Sequence, residues 1–229
     1  MLYHTHDKLV GVSRDRPDTS LRDALIDAAA RLLVSEGPAA LTLRRVANDV
    51  GTSTMAVYTH FGGMAELRRA VGREGFARLA DQLAAVEQTD DAVADLAVLG
   101  LAYRANATNN PDLYRIMCME RPLDPEEAKV AWEAFGALVA GVQRCIATQR
   151  FAPGDATDLA IQLWALSHGV VTLELAQLLT TEQALSCLGA AVLNLLTSYG
   201  DERETTLKSL GSALARANPQ VADATPAPS

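Results

Sequence analysis

Residues 42–67 read Thr42-Leu-Arg44-Arg-Val46-Ala47-Asn-Asp-Val50-Gly51-Thr52-Ser53-Thr54-Met55-Ala56-Val57-Tyr58-Thr59-His60-Phe61-Gly62-Gly63-Met64-Ala-Glu-Leu67. Val46, Ala47 and Val50 fall on one apolar helical face. Gly51 stops that helix, because glycine takes the left-handed backbone of a C-terminal cap without a Cβ clash. Thr52-Ser53 supplies hydroxyls to cap a new helix at once. The second helix turns Ala56, Val57 and Phe61 inward and Thr54, Met55, Tyr58, Thr59 and His60 outward. Two short helices joined by a glycine turn make a helix-turn-helix, and the second helix fits a DNA major groove. Hydroxyl, imidazole and phenol groups on its outer face can bond phosphates, and Thr54 and Met55 can touch base edges. The plainer alternative is an αα-corner with a solvated polar face.

Outward from this segment, composition agrees with a helical chain. Hydrophobic residues make up 49% of the 229 residues but aromatics only 5%. Alanine and leucine dominate, and no alternating β-branched pattern occurs, so the expected class is all-α. The net charge of -8 is unevenly placed. Residues 1–86 carry 11 Lys/Arg against 10 Asp/Glu, whereas residues 87–229 carry 9 against 18. The acidic surplus belongs to the distal part, as expected for a solvated far end. Cys118, Cys145 and Cys187 form no metal spacing and no close pair, which points to buried or half-buried free thiols in a reducing cytoplasm. The start of the chain lacks a signal-type apolar run, and no uncharged 18-residue apolar stretch is present, so no membrane is expected.

Residues 1–18 read as a mobile arm in which Arg14 and Arg16 can reach a minor groove. His4 and His6 on such an arm do not amount to a metal site. Thr19-Ser20 opens a first helix with Asp23 in capping-box position, and Leu21, Leu25, Ala28, Ala29 and Leu32 follow at helical spacing. The three helices of residues 20–61 form the head. A fourth, near 64–85, leaves the head as a strut, with Arg68, Arg69 and Arg73 in its first turns. Further helices are expected up to about Thr108, over a short stretch holding Tyr114, Met117 and Met119, from Asp124-Pro125 to about Gln149, from Asp155 to about Leu179, and from Thr181 to about Tyr199, while 201–216 can form one more short helix. About nine helices are expected, with residues 217–229 as a disordered tail.

The segment at 42–67 resembles the TetR family of one-component transcription regulators, through Thr42, Val46-Ala47, Val50-Gly51, Tyr58-Thr59-His60-Phe61 and Leu67. Where that family has a phosphate-contacting lysine, this chain has Met64. A shorter stretch, Trp164-Ala-Leu-Ser-His168-Gly169, is similar to the Trp-His-Gly signature of one group of TetR-type C-terminal domains. The resemblance implies an arm (1–18), a three-helix helix-turn-helix DNA-binding domain (19–66), a larger helical ligand-binding and dimerisation domain (67–216), and a tail. It implies contact with double-stranded operator DNA through Thr42, Arg44, Ser53, Thr54, Met55, Tyr58, Thr59 and His60. It also implies repression relieved by a small-molecule effector.

In the distal half, the helix near 155–179 is apolar on most of its circumference, so both sides need covering. One side is expected on the chain's own core and the other on a second subunit. The helix near 182–199 is expected to join it in a homodimer interface through Leu185, Leu188, Val192, Leu195, Leu196 and Tyr199, with Gly189-Ala190-Ala191 allowing close approach. A largely apolar pocket lined by Tyr103, Met117, Trp132, Phe135, Trp164, His168 and Val171 is the candidate effector site. The competing reading makes His168 a satisfied core histidine. Ser167 and His168 point about 100° apart and cannot form a nucleophile–base pair. No catalytic motif is present, so the expectation is a regulator without catalytic residue, metal or cofactor. A helical protein-binding adaptor is the alternative, and a small-molecule-processing enzyme the weaker one.

Overall fold

The computed structural model describes residues 20–119 and 124–217. Among them are ten α-helices and a 3-10 turn at Pro38–Ala40, one helix more than the sequence suggests, and no strand. The helices are α1 (Leu21–Glu36), α2 (Leu43–Val50), α3 (Thr54–Phe61), α4 (Met64–Ala84), α5 (Ala92–Asn109), α6 (Pro111–Cys118), α7 (Pro125–Ala147), α8 (Ala156–Leu175), α9 (Thr181–Ser198) and α10 (Arg203–Ala217). Ala217, expected to start the tail, instead ends α10. The arm with Arg14, Arg16, His4 and His6, and residues 218–229, lie outside the described residues.

Local chemistry sets most helix starts. Ser20 Oγ accepts from Asp23 N at 3.2 Å, Thr42 Oγ1 from Arg45 N at 3.2 Å, and Ser53 Oγ from Ala56 N at 3.3 Å. Each satisfies a backbone donor that the first turn leaves open. Asp124 and Glu127 form a reciprocal capping box at the start of α7, and Thr180 with Gln183 forms another before α9. Thr180 thus caps α9, which starts at Thr181 as expected.

One hydrophobic core runs the length of the molecule. Leu25, Ala29 and Leu33 of α1 meet Val46, Val57 and Phe61 in the head, and Leu67 and Val71 of α4 close it from behind. Further along α4, Phe76, Leu79 and Leu83 enter the distal bundle, where α4 packs on α7 and α6. The head also rests on α6 through α1, so α4 is not its sole link to the rest. Gly75 lets α4 and α6 approach closely: a Cβ there would stand 2.6 Å from Met117 Sδ.

Two buried ion clusters bind α10 to the bundle. Asp95 accepts from Arg144 at 2.8 Å, Arg216 at 2.6 Å and the Thr89 backbone at 2.7 Å. Burial pushes the Asp95 carboxyl up, but these bonds outweigh it and bring its pKa down to about 2. Arg150 grips Asp201 at 2.6 and 2.8 Å and also reaches Asp91 and Ser209. Buried charges persist only when paired and hydrogen-bonded in this way.

Among the described residues α7 alone is long and apolar enough to cross a membrane. It contains Glu133 and Arg144 and packs against α4, α5 and α8. The thiols are free: Cys145 is buried and Cys118 half-buried, both with pKa pushed up to about 12 by burial, whereas Cys187 is exposed, contrary to expectation.

Candidate DNA-contact face and interior cavity

The turn between α2 and α3 is set by Gly51 at φ 75°, ψ 30°, with its N–H and that of Thr52 closing the end of α2. Val57 and Phe61 are buried, so the other side of α3 must face outward. Thr54, Met55, Tyr58, Thr59 and His60 are all exposed there, Met55 by 71% and Tyr58 by 52%. Large side chains left open on an otherwise satisfied helix mark a contact surface.

Ion pairs then sort the neighbouring arginines. Arg31 bonds Asp49 at 2.8 Å and Arg45 bonds Glu36 at 2.6 Å, tying α1 to α2. Arg22 lies 5.3 Å over the Phe61 ring. Arg44 is exposed on α2 and makes no ion pair among the described residues. The hydroxyl oxygens of Thr42 and Ser53 serve as caps, which leaves their hydrogens free to donate. Thr59 Oγ1 donates its hydrogen to Met55 O at 3.0 Å, so it has only acceptor capacity to offer outward.

Beyond α3, Gly62 and Gly63 sit at φ 66° and 153°, and α4 starts on Gly63 with no side-chain cap. Its first backbone N–H groups remain open to an anion. Arg69 and Arg73 do not flank that site as free cations. Arg73 bonds Glu66 at 2.8 Å, and Arg69 bonds Asp124 at 3.2 Å, which clasps α4 to the N-terminus of α7. The Asp124 carboxyl is held below its usual range by the Glu127 backbone N–H and then by these two arginines.

The distal bundle holds a partly open cavity of about 460 Å³ between α4, α5, α7, α8, α9 and α10, with Trp164, Leu185 and Leu214 exposed at its edge. Three of the seven expected pocket residues line it: Tyr103, Phe135 and Trp164. The others do not. Met117 is buried between α6 and α4, and Val171 is buried against Ala107 and Tyr114. Trp132, 55% exposed, lies on the outer side of Phe135 with ring centroids 5.0 Å apart. His168 sits behind the wall, where its Nδ1 is 2.6 Å from Tyr114 Oη and 3.1 Å from Tyr103 Oη. The core-histidine reading of His168 is the better one. Its imidazole is half-buried, and desolvation lowers its pKa toward the neutral form.

Sequence reading missed Gly100, Leu163, Ser167, Leu210 and Leu214 as cavity residues. Their helical spacing is that of ordinary core, so no local signal marks them. Of the residues expected at an α9 interface, Leu188, Leu196 and Tyr199 are buried within the chain, whereas Leu185 is exposed at the edge of the cavity. The exposed residues of α9 include Gln183, Leu185, Cys187, Gly189, Ala190, Asn194 and Ser198. On α8 the exposed residues include Ile161, Ala165, Gly169 and Leu173. A Cβ at Gly169 would meet nothing within 4 Å, so no neighbour within the chain requires a glycine there.

A head with an open helix-turn-helix face, joined by a strut to a larger helical bundle, is the architecture of a helix-turn-helix DNA-binding regulator. Two family models match in agreement with it. The one described as "Bacterial regulatory proteins, tetR family" matches residues 25–71, and "Tetracyclin repressor-like, C-terminal domain" matches residues 96–199. The chain belongs to the TetR family and is a DNA-binding transcriptional regulator. It is 27% identical over 194 residues to the uncharacterized HTH-type transcriptional regulator Rv0681 of Mycobacterium tuberculosis, covering 83% of this chain and 86% of that protein. A solved protein of unknown function from Rhodococcus sp. RHA1 is 25% identical with a TM-score of 0.68, over 82% of this chain and all of that one. RolR in complex with its ligand resorcinol has the same fold, with 14% identity and a TM-score of 0.63 over 91% of this chain and 95% of RolR. The family consists of transcriptional regulators, and the described residues contain no cluster able to hold a metal ion.

Proposed function

We propose that this chain is a cytoplasmic homodimeric repressor that leaves a palindromic operator when a small, largely apolar effector enters the distal cavity. The division into a DNA-binding domain (19–66) and an effector-binding and dimerisation domain (67–216) is part of this reading, as is membership of the Trp-His-Gly group through Trp164, His168 and Gly169. The observation that carries it is the pairing of an open α3 face with an apolar interior cavity, connected through α4. RolR, a protein of the same fold, is crystallised with a small ligand, which supports the effector half of the reading.

In this proposal Arg44 reads a base edge, since a guanidinium can bond guanine O6 and N7 together. Thr54 and Met55 meet base edges or a thymine methyl. Tyr58, His60, Thr42 and Ser53 donate to phosphates. Thr59 stays in the set, acting by shape or through its methyl, because its hydroxyl hydrogen is taken. The open N-terminus of α4 takes the role that a lysine would have at Met64. Two heads then lie about 34–36 Å apart, one turn of DNA.

The dimer forms through the exposed sides of α8 and α9, where Ala165, Gly169 and Ala190 permit close packing. The effector acts by favouring a state with the wrong head spacing. A preference of about 100-fold shifts the balance by about 2.7 kcal/mol per site. Phe135 at the cavity and Asp124 at the clasp share α7, so a shift of α7 reaches Arg69 and Arg73 on α4 directly. Gel-shift and footprinting on the DNA beside the chain's own gene test the reading. Protection of a two-fold symmetric site is expected, and binding without sequence preference would refute it.

A further inference from the structure

The walls of the distal cavity restrict the chemistry of what can occupy it. No Asp, Glu, Lys, Arg or His is among the lining residues, and nearly all the lining surface is hydrocarbon. The nearby Arg104 and Glu174 are paired with each other, with Arg104 Nε to Glu174 Oε2 at 2.9 Å, and neither lines the cavity. A carboxylate or ammonium entering this space would lose its water and find no counter-charge. The volume of about 460 Å³ lies in the range that holds a drug-sized molecule. A single ring such as resorcinol would leave most of it empty.

The polar groups among the lining residues are the Tyr103 phenol, the Ser167 and Ser186 hydroxyls and the Trp164 indole N–H, and of these the Tyr103 hydroxyl is the one held in a side-chain hydrogen-bond cluster. Tyr103 lines the cavity, and its hydroxyl is fixed from behind by Tyr114 Oη at 2.7 Å and His168 Nδ1 at 3.1 Å. Desolvation raises the Tyr103 pKa to about 12, which keeps the phenol neutral. With His168 Nδ1 unprotonated, both tyrosine protons are used inside the cluster, and the Tyr103 oxygen keeps acceptor capacity. With Nδ1 protonated in the other neutral tautomer, the chain of bonds reverses and the Tyr103 proton becomes available. The cluster can therefore meet an oxygen that donates or one that accepts, without any net charge.

We propose that the cavity takes an electrically neutral, hydrophobic molecule bearing one hydroxyl or carbonyl oxygen, and that Tyr103, positioned by His168 and Tyr114, binds that oxygen. This rests on the reading of the cavity as the effector site and names the class of effector it admits. The chain's two tryptophans are Trp132 and Trp164, so a Trp132→Phe background leaves Trp164, in the cavity wall, as sole reporter.

Titration of that protein with 4-octylphenol, octylbenzene and 4-octylbenzoate, followed by Trp164 fluorescence, tests the proposal. The phenol is expected to bind about 100-fold or more tighter than the carboxylate at neutral pH. It is expected to bind about three- to tenfold tighter than octylbenzene, and Tyr103→Phe should erase that second margin while leaving octylbenzene unchanged. Gly100→Leu fills the cavity from a position where a Cβ meets nothing within 4 Å, and it should abolish binding with the melting transition retained. The proposal is overturned if the phenol fails to bind, if the carboxylate binds as tightly, if Tyr103→Phe weakens both neutral probes alike, or if Gly100→Leu binds normally. Operator affinity measured in the same samples separates the two ideas. Selective phenol binding with unchanged operator affinity upholds the ligand class and refutes the effector reading.

Discussion

A glycine-to-alanine change in the middle of α5 is expected to stabilise the protein even though it reaches into the candidate ligand site. Gly100 is a helical residue, and a Cβ built on it meets no atom within 4 Å, because the space before it is the cavity. Glycine inside a helix is less favourable than alanine by about 0.5–1 kcal/mol, chiefly through backbone entropy in the unfolded chain. No packing penalty offsets that gain here. At about 2–4 °C per kcal/mol for a chain of this size, Gly100→Ala should melt about 1–4 °C higher. Gly75→Ala is the internal control. It has the same propensity gain, but its Cβ would stand 2.6 Å from Met117 Sδ, 2.9 Å from Met117 Cγ and 3.2 Å from Leu113 Cδ1. Overpacking of that kind typically costs about 1–3 kcal/mol, so this variant should melt lower. Thermal unfolding followed by circular dichroism must be run at one protein concentration, because the proposed dimerisation would couple to apparent stability. A lower melting point for Gly100→Ala, or a rise for both variants, would refute the claim that α5 faces an open cavity and that α4 touches α6.

Four further outcomes are expected. Arg44→Ala should weaken operator binding by about 1–3 kcal/mol and relax base preference at one position per half-site; equal weakening on random DNA, measured by gel shift, would assign Arg44 to the phosphate backbone. Gly169→Arg places a long cation on the exposed side of α8 where the chain itself offers no clash, so sedimentation should show monomers and operator binding should collapse; an unchanged dimer would place the interface elsewhere. Asp124→Asn removes the charge that holds Arg69 to α7 and should reduce the response of operator binding to a bound effector while leaving effector affinity intact; unaltered coupling would reject α7 as a route to the head. The Asp95 carboxyl, with its pKa near 2 against an ordinary 3.8, contributes stability that is complete above about pH 4 and is lost as pH falls toward 2; the Asp95→Asn variant should be less stable at neutral pH and show a shallower acid transition, and an acid transition unchanged from the parent would exclude the cluster as its source.

The DNA-contact half of this protein was legible in its sequence because its determinants are local. Gly51 needs a left-handed backbone, Ser53 caps the next turn, and Val57 and Phe61 fix which side of α3 is buried. Those choices involve neighbours a few residues apart, and they oblige Met55, Tyr58 and His60 to face outward whatever else the chain does. The identity of the free arginine was not local. Arg44 and Arg45 are adjacent, and only the approach of Glu36 from α1 takes Arg45 out of play. In the same way Asp124, 55 residues away, claims Arg69 of the first turns of α4.

The cavity was decided by tertiary structure. Helical periodicity states which face of α5, α7 or α8 avoids water, but not whether that face meets a side chain or an empty space. Phe135 and Met117 are both apolar residues at helical spacing; one lines the cavity and the other fills the contact made possible by Gly75. His168 and Tyr103 lie 65 residues apart, and their bond depends on how α5 and α8 cross. The sequence by itself determined a helical chain with a helix-turn-helix head, since backbone caps and amphipathic faces act over a turn or two. Where helices leave a gap, and which polar group faces it, follows from packing between elements distant in the chain, which no short-range pattern encodes.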